Sequence, residues 1–383
     1  MELETAASTI EVTDSGVVIR WSDGSRSRFH SLWLRDNCPS GGDRATGSRT
    51  YSLTELSPDL FVLIAEYDDN GDLLVEFSDG HESTFDFDWL RTKSYEPHDR
   101  LGRPRVISTF RAGHSLPAVA LPAAGSRDHL DLLDALAEWG VALVDGVATD
   151  GMGTEAVADL VGVARASRTV HLHEVIEVHG LGVDPHTTEP YRSCPPGVLV
   201  MHCVEAASSG GDVVLVDGFQ IAADLQDDDP DSFDALTQLP NTFVSTVATG
   251  MADSENAVDL RTARTVISLD RDYDVGGIRF DERSLSELDI DHSQVEAYYR
   301  ALIEFTKAVN DPGRAVQVSL RPGQVLLVDN HRILHGRTNF SAVGGQRHIR
   351  WATIDRDDFH GELRTLRARF GSGAQDRFAT GCT

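Results

Sequence analysis

Long apolar runs, paired cysteines and an excess of positive charge are all missing from this 383-residue chain. No stretch approaches 18 consecutive apolar residues, so a membrane-spanning helix is not expected. The opening MELETAASTIEV has neither a basic segment nor an apolar one, so a secretory leader is not expected and a cytoplasmic location is. The four cysteines (Cys38, Cys194, Cys203 and Cys382) form no CxxC pair, and reduced thiols are the expectation. A formal charge of −27 would repel a polyanion over most of the surface, which excludes nucleic acid as a partner. GxxxxGK[ST] and GxSxG are absent, and HGLGVD falls short of GxGxxG. Nucleotide and serine-hydrolase chemistry therefore have no support.

What is present is enough apolar residue for a soluble globular protein, 40%, and a length beyond one ordinary core. The first ninety or so residues read as short strands, with turns at Asp23-Gly24 and Asn70-Gly71 between apolar alternations. The expected division is a small β domain over 1–95, a polar linker over 96–113 rich in arginine and proline, and a larger domain over 114–383. In the larger part, SRDHLDLLDALAEWG carries Leu130, Leu132, Leu133 and Leu136 on one helical face and ends at Gly140. GTEAVADLVGVAR and SQVEAYYRALIEFTKAV read as further helices. The strands GVLVMHCV, GGDVVLVDG, RAVQVSLRPGQVLLVDN and QRHIRWATID are separated by Gly/Pro turns rather than by regular helices. That pattern points to α+β or mainly β architecture, an antiparallel jelly roll with flanking helices, rather than a doubly wound sheet.

Among fifteen histidines, two stand in turns at strand ends: His186 in DPHTTEPYRSCPPG and His335 in VLLVDNHRILHGRTNF, with Arg347 twelve residues beyond. An iron that activates dioxygen needs protein ligands on one face only, commonly two histidines and a carboxylate. A His-x-Asp pair at a strand end supplies two of these on one side, because the strand repeat is two. Here that third position is Thr188, and the nearest acid, Glu189, stands one place late.

SLWLRDNCPS, PHTTEPYRSCPPGVLVMHC, GGDVVLVDGF, PGQVLLVDNHRILHGRTNF and RHIRWATID resemble, in order and spacing, the γ-butyrobetaine dioxygenase/taurine dioxygenase family of iron(II)- and 2-oxoglutarate-dependent oxygenases. The resemblance covers nearly the whole chain. It implies a double-stranded β-helix catalytic domain, a homodimer, Fe(II) as cofactor, and 2-oxoglutarate and dioxygen as cosubstrates. It implies His186 and His335 as the iron ligands and Arg347 as the cation for 2-oxoglutarate. The reaction implied is oxidation of an unactivated C–H bond of a small molecule.

Three departures qualify it. The family writes His-Thr-Asp where this chain has His186-Thr187-Thr188. Three readings stay open: Glu189 or water fills the place, chloride binds there as in the halogenases of the superfamily, or the protein is a catalytically silent ligand-binding relative. The family's structural zinc site keeps Cys38 and His81 but shows Ser40 and Asp43 at the other places, so no structural zinc is expected. Val178, Glu189 and Thr353 stand where the family's aromatic substrate cage has tyrosines, while His171, His173, Glu177 and His179 lie just upstream. A small polar or cationic substrate other than γ-butyrobetaine follows.

Overall fold

The computed structural model describes residues 7–42, 48–96, 106–165, 173–177, 179–245, 259–341 and 346–371. Two compact units, Met1–Pro104 and Arg105–Thr383, make up the chain.

The smaller unit holds two three-stranded antiparallel sheets. One is β1 (Ala7–Thr13), β2 (Gly16–Trp21) and β3 (Arg26–His30), followed by a short helix α1 (Ser31–Asp36). The other is β4 (Val62–Tyr67), β5 (Leu73–Phe77) and β6 (Glu82–Phe85), followed by α2 (Phe87–Lys93). The two dipeptide turns fall between β2 and β3 and between β4 and β5, where local turn chemistry places them. The helices escape a reading by strand alternation. Asp86 starts α2 by accepting the Trp89 N–H at 2.6 Å, a side-chain cap that satisfies a backbone donor. Trp21, Phe29, Leu34, Phe77, Phe85 and Leu90 fill the shared core.

Cys38 lies in that unit with its Sγ 3.4 Å from His81 Nε2. Ser40 Oγ sits 3.0 Å from the same imidazole nitrogen and 3.5 Å from the thiol. One thiol, one imidazole and one hydroxyl thus satisfy each other by hydrogen bonds, which is not a closed Cys/His set for a structural metal. Asp43 lies outside the described residues. Of the other cysteines, Cys203 is free like Cys38, whereas Cys194 is disulfide-bonded. That corrects the expectation of reduced thiols throughout, which rested only on the absence of close sequence pairs; Cys382 lies outside the described residues.

The larger unit is a jelly roll; β10 (His179–Gly180), β13 (Ser209–Gly210) and β22 (Phe340–Ser341) form a small antiparallel sheet, and β15 (Asn241–Val244) with β16 (Arg261–Arg264) and β17 (Ile267–Leu269) with β18 (Val275–Ile278) form two antiparallel pairs. Its six-stranded sheet runs β7 (Ala118–Ala120), β8 (Val141–Asp145), β20 (Gln324–Asp329), β12 (Val198–Glu205), β23 (Arg347–Ile354), β9 (His173–Glu177). All neighbours in it are antiparallel except β7 and β8. The facing four-stranded sheet runs β11 (Val183–His186), β21 (Ile333–Arg337), β14 (Val213–Asp217), β19 (Val316–Val318), all antiparallel. Between the sheets pack Leu199, Val213, Leu215, Leu326, Val328 and Ile333. The period-2 alternation of β12 then sends Val198 and Val200 to the opposite face, against helices α3 (Arg127–Trp139), α4 (Gly151–Val161) and α8 (Arg356–Phe370). The smaller sheet is backed by α5 (Gly218–Asp228), α6 (Pro230–Gln238) and α7 (Val295–Val309) through Val216 and Leu334. Helix α4 stops at Val161, four residues before the end of the helix expected from GTEAVADLVGVAR. A Cβ on Gly162 would lie 2.7 Å from Asp358 Cβ and 2.8 Å from Ile354 Cγ2, so the chain here passes too close to α8 and β23 for another helical turn of larger residues. No helix among the described residues is long and apolar enough to cross a membrane.

His202 belongs to the helix-facing side of β12 and is fully buried. Its Nδ1 is 2.8 Å from Thr154 Oγ1, and its Nε2 has no partner among the described residues. Burial, followed by the charge of Arg350, drives its pKa down to about 4 from 6.5. The unfolded chain therefore binds a proton here more readily than the folded one. Stability is present above about pH 6.5 and is lost as the pH falls toward 4. From pH 7 to pH 5 this residue should cost on the order of 1–2 kcal/mol of unfolding free energy. Urea unfolding of the wild type and His202→Asn at both pH values checks it; an equal pH slope in both proteins would contradict it.

Candidate active site

Strands β11 and β21 bring the two singled-out histidines side by side. His186 and His335 are register partners, with ring centroids 4.8 Å apart. Gly336 makes the approach possible, because a Cβ there would lie 2.4 Å from Val183 O. His335 shares its face of the sheet with Leu215 and Ile333, so it points between the two sheets.

Hydrogen bonding then fixes one tautomer. A carbonyl oxygen only accepts, so the 2.9 Å contact from His186 Nδ1 to Asp184 O makes Nδ1 the donor and leaves Nε2 as a lone pair. His335 Nε2 lies 3.1 Å from Thr188 Oγ1, while its Nδ1 closes no normal hydrogen bond. Burial lowers the pKa of His186 and pushes that of His335 down to about 3, with the His186 and Arg283 charges adding to the effect at His335. Two neutral imidazoles therefore face each other with a hydroxyl beside them.

Asn330, 1% exposed, holds the turn that carries this hydroxyl. Its Oδ1 accepts the Thr188 N–H at 2.6 Å, and its Nδ2 donates to Thr188 O at 3.0 Å and Pro196 O at 2.9 Å. The following residue, Glu189, has φ 55, a left-handed conformation uncommon outside glycine. Its carboxylate is gripped by both Nε and Nη2 of Arg192. The buried Arg279 guanidinium ties down the same loop by donating to the carbonyls of Pro190, Arg192 and Ser193. Burial lowers its pKa to about 10.

Arg347 opens β23 and lines a separate pocket of about 210 Å3 together with Cys203, Asp212, Ser319 and Ile349. Its guanidinium carbon stands 5.3 Å from the centre of the Phe340 ring. Among the described residues no carboxylate pairs with it. Burial and then the charge of Arg337, two residues beyond His335, lower its pKa. Arg337 is itself neutralised by Glu177 at 2.9 Å.

The structure therefore brings His186, Thr188 and His335 together, turns Glu189 onto Arg192, and leaves Arg347 in its own pocket without a carboxylate partner among the described residues. Among the described residues no third His, Cys, Asp or Glu joins the two imidazoles in a metal-holding group. Glu177 is spent on Arg337, His179 is exposed, and Thr353 is 9% exposed on the face that pairs with Leu199. His171 and Val178 lie outside the described residues, and nothing is described of the His173 side chain. Asn330 and Arg279 were not singled out from sequence. Asn330 sits in the same VDNH segment as the site and was legible as a polar residue at a strand end; Arg279 gave no signal.

Comparison with known proteins settles the ancestry. Residues 108–353 match the model of the taurine catabolism dioxygenase TauD, TfdA family, and residues 9–91 match the γ-butyrobetaine hydroxylase-like N-terminal model. The chain belongs to the TauD/TfdA family. It is thus an enzyme of the iron- and 2-oxoglutarate-dependent oxygenase class. Among its TauD/TfdA relatives, γ-butyrobetaine dioxygenase of Pseudomonas sp. (strain AK-1) is 29% identical over 367 residues, 92% of this chain and 94% of that one. Trimethyllysine dioxygenase of Meyerozyma guilliermondii is 26% identical over 379 residues, 91% and 93% of the two chains. In fold, a taurine dioxygenase from Burkholderia xenovorans described as α-ketoglutarate-dependent superposes with a TM-score of 0.51 at 14% identity, covering 64% of this chain and 91% of that one. The TauD/TfdA jelly roll is the double-stranded β-helix expected from sequence.

The donor set suits the family's metal in part. Two neutral imidazole nitrogens are good ligands for ferrous iron, and the alcohol of Thr188 is a poor one.

Proposed function

We propose that this protein is an Fe(II)/2-oxoglutarate-dependent oxygenase that oxidises an unactivated C–H bond of a small polar substrate other than γ-butyrobetaine. The observation that carries the reading is the pair of neutral imidazoles of His186 and His335 meeting on adjacent strands, with no third His, Cys, Asp or Glu among the described residues placed to complete a metal-holding group. These two residues would hold the iron, and Arg347 would take the distal carboxylate of 2-oxoglutarate, for which an arginine fork is suited. When bound, the iron supplies the oxidising chemistry, with 2-oxoglutarate as the source of electrons. The protein's own part is positioning. Asn330 sets the turn at Thr188, Arg279 sets the loop beyond it, and burial keeps both imidazoles unprotonated and able to ligate.

Substrate choice follows from the charges at the site. The Glu189–Arg192 ion pair and Thr353 do not form an aromatic cage for a quaternary ammonium group, which sets this chain apart from what its relatives are named for. The protein acts in the cytoplasm, as a homodimer.

A second reading, halogenation, is favoured by the same missing carboxylate, since the place beside Thr188 can take chloride, water or a substrate carboxylate. Succinate formation from 2-oxoglutarate by protein loaded anaerobically with Fe(II), then exposed to dioxygen with and without chloride, tests both. Succinate independent of chloride is expected. Chloride-dependent turnover would favour the halogenase, and no succinate in either buffer would indicate a silent relative.

A further inference from the structure

His186 also lines a second pocket, of about 130 Å3, which it shares with Asp184, Phe280, Asp281, Glu282 and Arg283. That is well above the roughly 10–15 Å3 that a single water requires, and leaves room for a small polar head group. Among the described residues Arg283 is the only arginine or lysine lining it, and the carboxylates of Asp184, Asp281 and Glu282 line the same space.

The arginine is held by design rather than by chance proximity. Asp281 is 8% exposed and accepts four hydrogen bonds. Its Oδ1 takes the Arg283 backbone N–H at 3.0 Å and Nε at 2.9 Å, and its Oδ2 takes Arg283 Nη2 at 3.2 Å and Ser284 Oγ at 3.2 Å. Capping the short turn Glu282–Ser284 explains the backbone contact. It does not explain a fork held by two further bonds, since an exposed ion pair contributes little to stability. What the grip does achieve is orientation. With Nε and Nη2 committed, Nη1 has no partner among the described residues, and the side chain, 56% exposed, remains open to solvent. A carboxylate can dock there. The acids left without side-chain partners among the described residues, Asp184 and Glu282, suit an ammonium.

We propose that this pocket receives the head group of a free α-amino acid, with Arg283 as the carboxylate anchor and Asp281 as the residue that positions it. The assignment rests on the oxygenase reading above and names its substrate class: a zwitterion whose side chain presents the carbon to be oxidised. Both signs of charge at one pocket distinguish it from a site for a plain amine or a plain acid.

The test is binding, measured by calorimetry on the full chain loaded with Mn(II) and 2-oxoglutarate without dioxygen. The probes are the standard L-α-amino acids, each paired with its methyl ester and its N-acetyl derivative. At least one amino acid should bind about tenfold or more tightly than both derivatives. Arg283→Gln should erase the preference over the ester, and Arg283→Lys should restore part of it. Asp281→Asn should lower the acid-to-ester ratio while 2-oxoglutarate affinity stays unchanged, a selective loss that a general weakening of the fold would not produce. If no amino acid outbinds its derivatives, or if Arg283→Gln keeps the ratio, the assignment is overturned. Succinate formation without amino-acid preference would overturn this inference alone, and preference without succinate formation would overturn the oxygenase reading alone.

Discussion

Replacing Arg347 with glutamine should weaken 2-oxoglutarate binding by on the order of 2–5 kcal/mol, the cost of removing one partner of a buried charge pair. Arg347→Lys should lose less but still weaken it clearly, because it keeps the charge and loses the two-pronged geometry. Arg347 is 8% exposed, its guanidinium stands over the Phe340 ring, and the residue lines a pocket of about 210 Å3. Glu177, whose charge acts on it, is committed to Arg337. A buried cation without a protein counter-ion is costly to keep unless a ligand supplies the charge. Titration of the metal-loaded protein with 2-oxoglutarate measures the effect, and equal affinity in both variants and the wild type would move the cosubstrate elsewhere.

The largest effect is expected at the imidazoles. His186→Ala or His335→Ala should abolish binding at micromolar Fe(II), because each removes half of the nitrogen donors brought together on β11 and β21. Thr188→Asp should do the opposite and tighten iron by about tenfold or more, a decade being about 1.4 kcal/mol. If the wild type hydroxylates, productive or uncoupled turnover should rise in that variant. If it halogenates, chlorinated product should disappear in favour of hydroxylation. Glu189→Gln is the control. With the carboxylate gripped by Arg192, it should leave iron affinity unchanged. Loss of iron in Glu189→Gln with Thr188→Ala silent would mean that the acid leaves Arg192 and swings onto the metal.

The jelly roll was legible because its strands carry their own punctuation, Gly/Pro turns between apolar runs, and because β12 and β20 alternate in step with burial. The helices α5, α6 and α8 were not singled out. Their apolar faces are interrupted by acids such as Asp224 and Asp228, and only packing on Val216, Leu334 and Ile354 shows which face is inside. His186, His335 and Arg347 were visible from their strand-end turns. The fate of Glu189 was not, since it depends on a left-handed backbone at that residue and on Arg192 being within reach. The Asp281–Arg283 pair gave no sequence signal at all: its importance comes from a pocket shared with a residue some hundred positions away.

The grip of Asn330 on the turn has an evolutionary consequence. Both of its bonds to residue 188 go to main-chain atoms, so the backbone is held whatever side chain stands there. The position behaves as an exchangeable socket. On the proposed assignment, a lineage could swap the group beside the two imidazoles, and with it the reaction that follows, without rebuilding the backbone that Asn330 holds. Directed variation at this one residue is therefore the shortest route from this fold to new oxidative chemistry.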